Sequence, residues 1–175
     1  MSTDTITYGR ITAENFSLTS LDGFIARQEV TECWRRTDGT WKLLPIAYTD
    51  DSAPDARTML EALQAGNPAF GAWAEGKLVG FALLAKDRFG SAKQYVDLAE
   101  FYVSAPYRRR GIGARLFDLA CQGARELGAS RLYISAHSAR ESIAAYRKYG
   151  CVEAAEVCRS LAEKEPCDVQ MEFLL

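Results

Sequence analysis

Residues 107–113 read YRRRGIG, three arginines running straight into two glycines set one residue apart. A solvated face needs arginine but not glycine, and a turn needs glycine but not arginine. A ligand that wants both positive charge and close access to backbone N–H groups accounts for the combination, and phosphate is such a ligand. Upstream, KQYVDLAEFYVSA (93–105) reads as a long strand that stops at Pro106. Downstream, Ile112, Leu116, Leu119, Ala120, Gly123 and Leu127 recur at three- and four-residue steps, the spacing of a helix with one apolar face. The stretch therefore lies between a strand and the first turn of a helix. The leading N–H groups there have no intrahelical partner and carry partial positive charge. No G-K-[ST] follows the glycines, so this is not a Walker loop. The last glycine of a dinucleotide fingerprint would fall on Leu116. Mere strand–loop–helix punctuation is the alternative reading of this segment.

Outward from this point, SRLYISAH (130–137) reads as a strand, and Ser138-Ala139-Arg140-Glu141 as a capping box opening a helix from about Ala139 to Tyr149, with Gly150 behind it. CVEAAEV (151–157) reads as a strand, SLAEKEPCD (160–168) as a charged connection, and VQMEFLL (169–175) as a last strand. On the N-terminal side, AFGAWAEGKLVGFALLAK (69–86) is a hairpin around AEGK, and Asp38-Gly39 marks an earlier hairpin. Ser52, with Asp55 three residues on and Pro54 in the first turn, predicts a helix to about Ala65, ended by Gly66 and Pro68. Residues 1–23 show the least pattern. The order predicts an α/β (α+β) fold with a largely antiparallel sheet and at least one crossover helix.

A chain of 175 residues with 48% hydrophobic and 25% charged residues suits one globular domain with a real core. The net charge of -2 provides no basic field for nucleic acid, and no apolar run reaches the length of a membrane span. The opening MSTDTITYGR has no apolar signal segment, which predicts a cytoplasmic protein. Five cysteines without C-x-x-C spacing and a single histidine, His137, argue against a metal site.

The chain resembles the GNAT family of acyl-CoA N-acyltransferases. FYVSAPYRRRGIGARLFDLA matches its [QR]-x-x-G-x-[GA] motif through Arg108, Gly111 and Gly113, and AAYRKYGC matches its second motif through Tyr146, Gly150 and Cys151. Residues 67–157 carry the resemblance, and it departs at Ala139, often Asn in the family, and at Cys151, usually Phe. The resemblance implies one domain over 1–175, with a twisted, mostly antiparallel sheet of about seven strands flanked by helices and splayed in a V between the strands at 95–104 and 130–136. It implies acetyl-CoA as cofactor. Its diphosphate would lie on the N–H groups of Arg109, Arg110, Gly111, Ile112, Gly113 and Ala114, with charge from Arg108, Arg109 and Arg110. Its pantetheine would run along Phe101, Tyr102 and Val103. A homodimer is a further family expectation, with the last strand either taking part in it or internal to the sheet.

Acetyl transfer to an amine needs a neutral amine, a stabilised oxyanion and a protonated leaving thiolate. By family position, Tyr146 is the candidate acid for the thiolate and lies beside the cofactor. Glu100 and Asp97, carboxylates inside an otherwise apolar strand, are the candidate bases, Glu100 ahead of Asp97. Three apart, they face opposite sides of a regular strand unless a bulge resets the alternation. The expected oxyanion donor is the Val103 N–H. His137 is read as a bystander, and nothing marks Cys121 as a nucleophile, so transfer is expected to be direct. For the acceptor, Trp34, Trp41, Tyr48, Asp50, Asp51 and Asp55 offer aromatics and carboxylates to a cationic amine, and a solvated loop beside a hydrophobic hairpin explains the same residues. A small-molecule amine, a peptide amine, and an acyl-CoA-binding module without turnover remain the three readings.

Overall fold

The structure, a computed structural model, describes residues 4–175. A seven-stranded sheet is built from β1 (Ile6–Ile11), β6 (Ala69–Ala74), β7 (Lys77–Phe89), β8 (Tyr95–Val103), β9 (Arg131–Ala136), β11 (Val169–Leu174) and β10 (Val152–Glu153), in that spatial order. Every pairing is antiparallel except β8–β9. Parallel neighbours need a crossover, and helix α2 (Ile112–Glu126) supplies it. Between β3 (Cys33–Thr37) and β4 (Thr40–Leu44), Asp38 and Gly39 both take positive φ, as a two-residue hairpin turn demands. β2 (Gln28–Val30) pairs with β5 (Tyr48–Asp50) in a second small ribbon.

The apolar stripe of α2, including Ile112, Leu116, Phe117 and Ala120, is buried against Leu84, Val96, Leu98, Leu132 and Ile134 on one sheet face. Helix α3 (Arg140–Tyr149) adds Ile143 to the same core. The opposite face is covered in two places. Helix α1 (Ala56–Gln64) sets Met59 and Leu63 on Leu78, Phe81 and Leu83, and helix α4 (Arg159–Lys164) sets Leu161 against Tyr95 and Tyr133. No helix among the described residues is long and apolar enough to cross a membrane.

β8 and β9 pair only at Tyr95↔Arg131, Val96↔Leu132 and Asp97↔Tyr133. From Leu98 onward β8 has β7 on one side and no strand on the other, which is the expected splay. β11 is interior, between β9 and β10, so it offers no free edge for pairing two chains.

Several local expectations are corrected. Asp55, not Ser52, caps α1: its carboxylate accepts from the Thr58 N–H at 2.9 Å, while the Ser52 N–H donates to Asp50. The capping box at Ser138 does not form. Ala139 holds the cap position, and the Ser138 hydroxyl accepts from Arg35 at 2.6 Å instead. A tertiary guanidinium thus outcompetes the local cap. The strand expected over 151–157 spans only Val152–Glu153, and the charged connection folds into α4. The unread N-terminal segment contains β1, whose Ile6 and Tyr8 pack on the main core.

Candidate active site

After β8 the chain makes a 3-10 turn at Ala105–Tyr107, turns left-handed at Arg109 (φ 62) and again at Gly111 (φ 80), and enters α2. The first bond of the helix runs from the Arg115 N–H to the Gly111 carbonyl at 3.2 Å. The N–H groups of Ile112, Gly113 and Ala114 therefore lack helical partners. A Cβ on Gly111 would meet nothing within 4 Å, so a side chain there would stand in open space at the helix start. A Cβ on Gly113 would come within 2.8 Å of the Tyr149 hydroxyl, so that glycine lets α3 close on α2. A hollow of about 250 Å3 continues from Ala114 along Phe117 and Asp118 to Tyr149 and Phe173. Free N–H groups at a helix start beside open space could hold an anion such as a diphosphate.

The three arginines do not form one patch. Arg110 lies over the Tyr107 ring and 3.8 Å from Asp4. Arg109 has no ion-pair partner among the described residues. The Arg108 guanidinium donates to the carbonyls of Val103 (2.9 Å), Ala26 (2.8 Å) and Arg27 (2.9 Å).

The register of β8 decides which backbone groups face the splay. The Ser104 N–H donates to the Val79 carbonyl at 2.8 Å, so alternate residues Tyr102 and Glu100 bond inward to β7. The backbone groups of Phe101 and Val103 point to the open edge. Arg108 takes the Val103 carbonyl, leaving the Val103 N–H to the slot. Tyr102, expected along the cofactor, is corrected: its backbone serves β7, and its ring packs on Phe81, 5.5 Å away on the other face.

Tyr146 projects from α3 beside Phe101 and Phe117, with ring centroids 6.0 and 6.5 Å apart. Burial first, then the surrounding Cys151, Tyr149, Asp168 and Asp97, pushes its hydroxyl well above the usual phenol range. It is a proton carrier throughout the neutral range.

A bulge puts the two carboxylates on one face of the strand. Leu83 pairs with Glu100 and Leu84 with Leu98, so Ala99 is an extra residue in β8. Val96, Leu98, Phe101 and Val103 then face α2, and Asp97 and Glu100 share the opposite face with Tyr102. Each carries a buried oxygen without a hydrogen-bond partner, Oδ1 of Asp97 and Oε2 of Glu100. Burial raises the Asp97 carboxyl to about 7, with Lys164 working against it. It also raises Glu100, helped by the charge of Asp55.

The Asp97 carboxyl, 9% exposed, makes the fold pH-dependent. Its folded value lies above the ordinary value of about 3.9, so the folded state holds a proton that the unfolded chain releases. Stability is lost as pH rises from about 4 to about 7 and is then level. The penalty is on the order of 3–4 kcal/mol at most. Asp97→Asn is expected to raise the melting temperature by about 5–10 °C at pH 8 and by nothing near pH 4. Calorimetry at the two pH values checks this, and an equal effect at both would contradict it.

Residues 25–50 form an arm across the mouth of the V. One end is fixed to the end of β8: the Ala105 N–H donates to the Ile25 carbonyl at 2.8 Å and the Ile25 N–H to the Ser104 hydroxyl at 3.0 Å. Further along, the arm is fixed where β9 passes into α3: the Trp34 N–H donates to the Ser138 carbonyl at 2.8 Å, and Arg140 pairs with Glu32 at 2.6 Å. The arm brings Tyr48 to 2.8 Å and Asp50 to 3.5 Å from His137 Nε2. His137 Nδ1 accepts from the Ala139 N–H, which keeps the ring proton on Nε2. His137, read as a bystander, is thus held by the arm.

Asp168, absent from the sequence reading, faces the same side with its carboxyl raised by burial, and accepts from Ser135 at 3.0 Å. Only its position just before a strand hinted at it. Trp34 and Trp41 instead stack under Arg147 and Arg36, and Asp51 lies exposed 3.9 Å from Arg27. Burial pushes the Cys121 thiol up to about 11, away from any role as nucleophile. No group of three or more His, Cys, Asp or Glu placed to hold a metal ion occurs among the described residues.

The acetyltransferase (GNAT) family model matches residues 28–151, a range that includes the left-handed glycine, the open strand edge and the tyrosine across the slot. The chain belongs to the GNAT family. No curated protein matches this acetyltransferase. Among solved structures, nourseothricin acetyltransferase is 19% identical, with 97% of this chain and 98% of that one covered, at a TM-score of 0.73. A Bacillus anthracis str. Ames protein described as a streptothricin acetyltransferase, in complex with acetyl coenzyme A, is 15% identical over 96% of each chain, at 0.69. PaiA N-acetyltransferase from Thermoplasma acidophilum, in complex with coenzyme A, is 18% identical over 98% and 99%, at 0.62. At these identities the likeness is one of fold. The GNAT acetyltransferase has a mixed, mainly antiparallel sheet flanked by helices, as they do.

Proposed function

We propose that this acetyltransferase, one domain over 1–175, moves an acetyl group from acetyl-CoA to a primary amine of a small cationic molecule in the cytoplasm. The observation that carries the reading is the bulge at Ala99, which puts two carboxylates, each with a buried oxygen that lacks a partner, on one face beside the open half of β8. Acetyl-CoA supplies the activated acyl group. The N–H groups of Arg109 to Ala114 would hold its diphosphate, the edge at Phe101 and Val103 would take its arm, and the Val103 N–H would be the donor for the acyl oxygen. Glu100 takes the proton of the incoming ammonium, and Tyr146 holds the proton for the sulfur. Asp97 is the deeper second carboxylate and accepts the proton onward.

The acceptor lies on the face of Glu100, under the arm 25–50, with Asp50, Tyr48 and His137 as its wall. An arm fixed at both lips of the V crosses the approach to Glu100, which favours a small molecule over a peptide. Glu100 and Tyr146 on the two sides of the slot favour turnover over passive binding. Thiol release from acetyl-CoA tests this with nourseothricin, spermidine and an alanine-starting peptide as amines. Release with either small amine and none with the peptide is expected, and release with the peptide alone would overturn the reading. Tyr146→Phe is expected to lower kcat by about tenfold to a hundredfold with acetyl-CoA affinity little changed. An unchanged kcat would remove Tyr146 from the mechanism.

A further inference from the structure

We propose that Arg108 is a positioning residue for the acceptor site: it fastens the arm 25–50 to the end of β8, and its guanidinium is not a ligand of the diphosphate. The proposal rests on the reading of that arm as the acceptor wall.

An arginine that serves a phosphate presents its planar fork to the ligand. Arg108 presents its fork to three backbone carbonyls, Val103 on the strand and Ala26 and Arg27 on the arm. No carboxylate pairs with it among the described residues, and burial holds its charge below the ordinary arginine range, so carbonyl dipoles are its solvation. The two arm carbonyls lie immediately before β2. β2 is in register with β5, Gln28 opposite Asp50 and Val30 opposite Tyr48. Freeing the carbonyls of Ala26 and Arg27 therefore loosens the strand pair that carries Asp50 and Tyr48 to His137. The neighbouring arginines have different surroundings: Arg110 is held by Tyr107 and Asp4, and Arg109 alone is left for an anion.

Lysine at 108 keeps the charge but reaches only one carbonyl, so a phosphate role survives Arg108→Lys and a fork role does not. Three readouts on Arg108→Lys and Arg108→Ala decide between them. Calorimetry with acetyl-CoA is expected to give a Kd within threefold of wild type for both. Amide hydrogen exchange is expected to quicken at least tenfold at residues 25–30 and 48–50 in both. With nourseothricin as the amine, half-saturation is expected to rise at least tenfold while kcat falls less than threefold. The proposal is overturned if Arg108→Ala weakens acetyl-CoA tenfold or more, Arg108→Lys restores it, and exchange at 25–30 and 48–50 matches wild type. A wild-type protein that binds no acetyl-CoA would overturn the reading of the cradle instead, and the exchange measurement would still decide the role of Arg108.

Discussion

Replacing Gly111 by aspartate is expected to weaken acetyl-CoA binding by at least about a hundredfold while leaving the fold intact. Gly111 sits at φ 80 with open space where a Cβ would stand. An aspartate side chain would project into the region in front of the Ile112, Gly113 and Ala114 N–H groups. It would accept from those donors itself and repel the diphosphate. The left-handed backbone costs an L-residue roughly 1–2 kcal/mol, too little to unfold the chain. Calorimetric titration together with a melting curve checks this. Binding of normal affinity in a folded variant would show that the cradle lies elsewhere.

Glu100→Gln is expected to lower kcat by about a hundredfold or more near neutral pH, in the range found when a general base is removed, with acetyl-CoA affinity within threefold of wild type. The glutamine keeps the size of the side chain and removes only the proton acceptor. The deficit has a pH signature. An amine titrates at about 10, so as pH rises more of it arrives already neutral and the base matters less. The gap between variant and wild type should narrow steadily from pH 7 to pH 10. A gap independent of pH would assign Glu100 to binding the amine rather than deprotonating it.

The parts legible in the sequence are those written in local chemistry. The strand at 95–103, the glycine-led helix behind it and the hairpins at Asp38-Gly39 and Glu75-Gly76 are each fixed by residues within one or two turns of one another. The candidate site was legible as residue types but not as geometry. Asp97 and Glu100 stood out as carboxylates in an apolar run, yet whether they share a face depends on the extra residue at Ala99, which nothing in the local pattern marks. Arg108 looked like phosphate chemistry because its true partners, the carbonyls of Ala26 and Arg27, lie some eighty residues away. Ser138 read as a helix cap for the same reason: Arg35 reaches its hydroxyl from the arm. Asp168, Tyr48 and His137 come together only through tertiary contacts, which spacing along the chain does not encode.

The most direct test is calorimetric titration of the full chain with acetyl-CoA. The account predicts saturable binding of one molecule per chain, lost in Gly111→Asp. A wild-type chain that gives no binding heat across the temperatures at which it stays folded would contradict the reading of residues 107–114 as a diphosphate cradle, and with it the acetyl transfer built on that cradle.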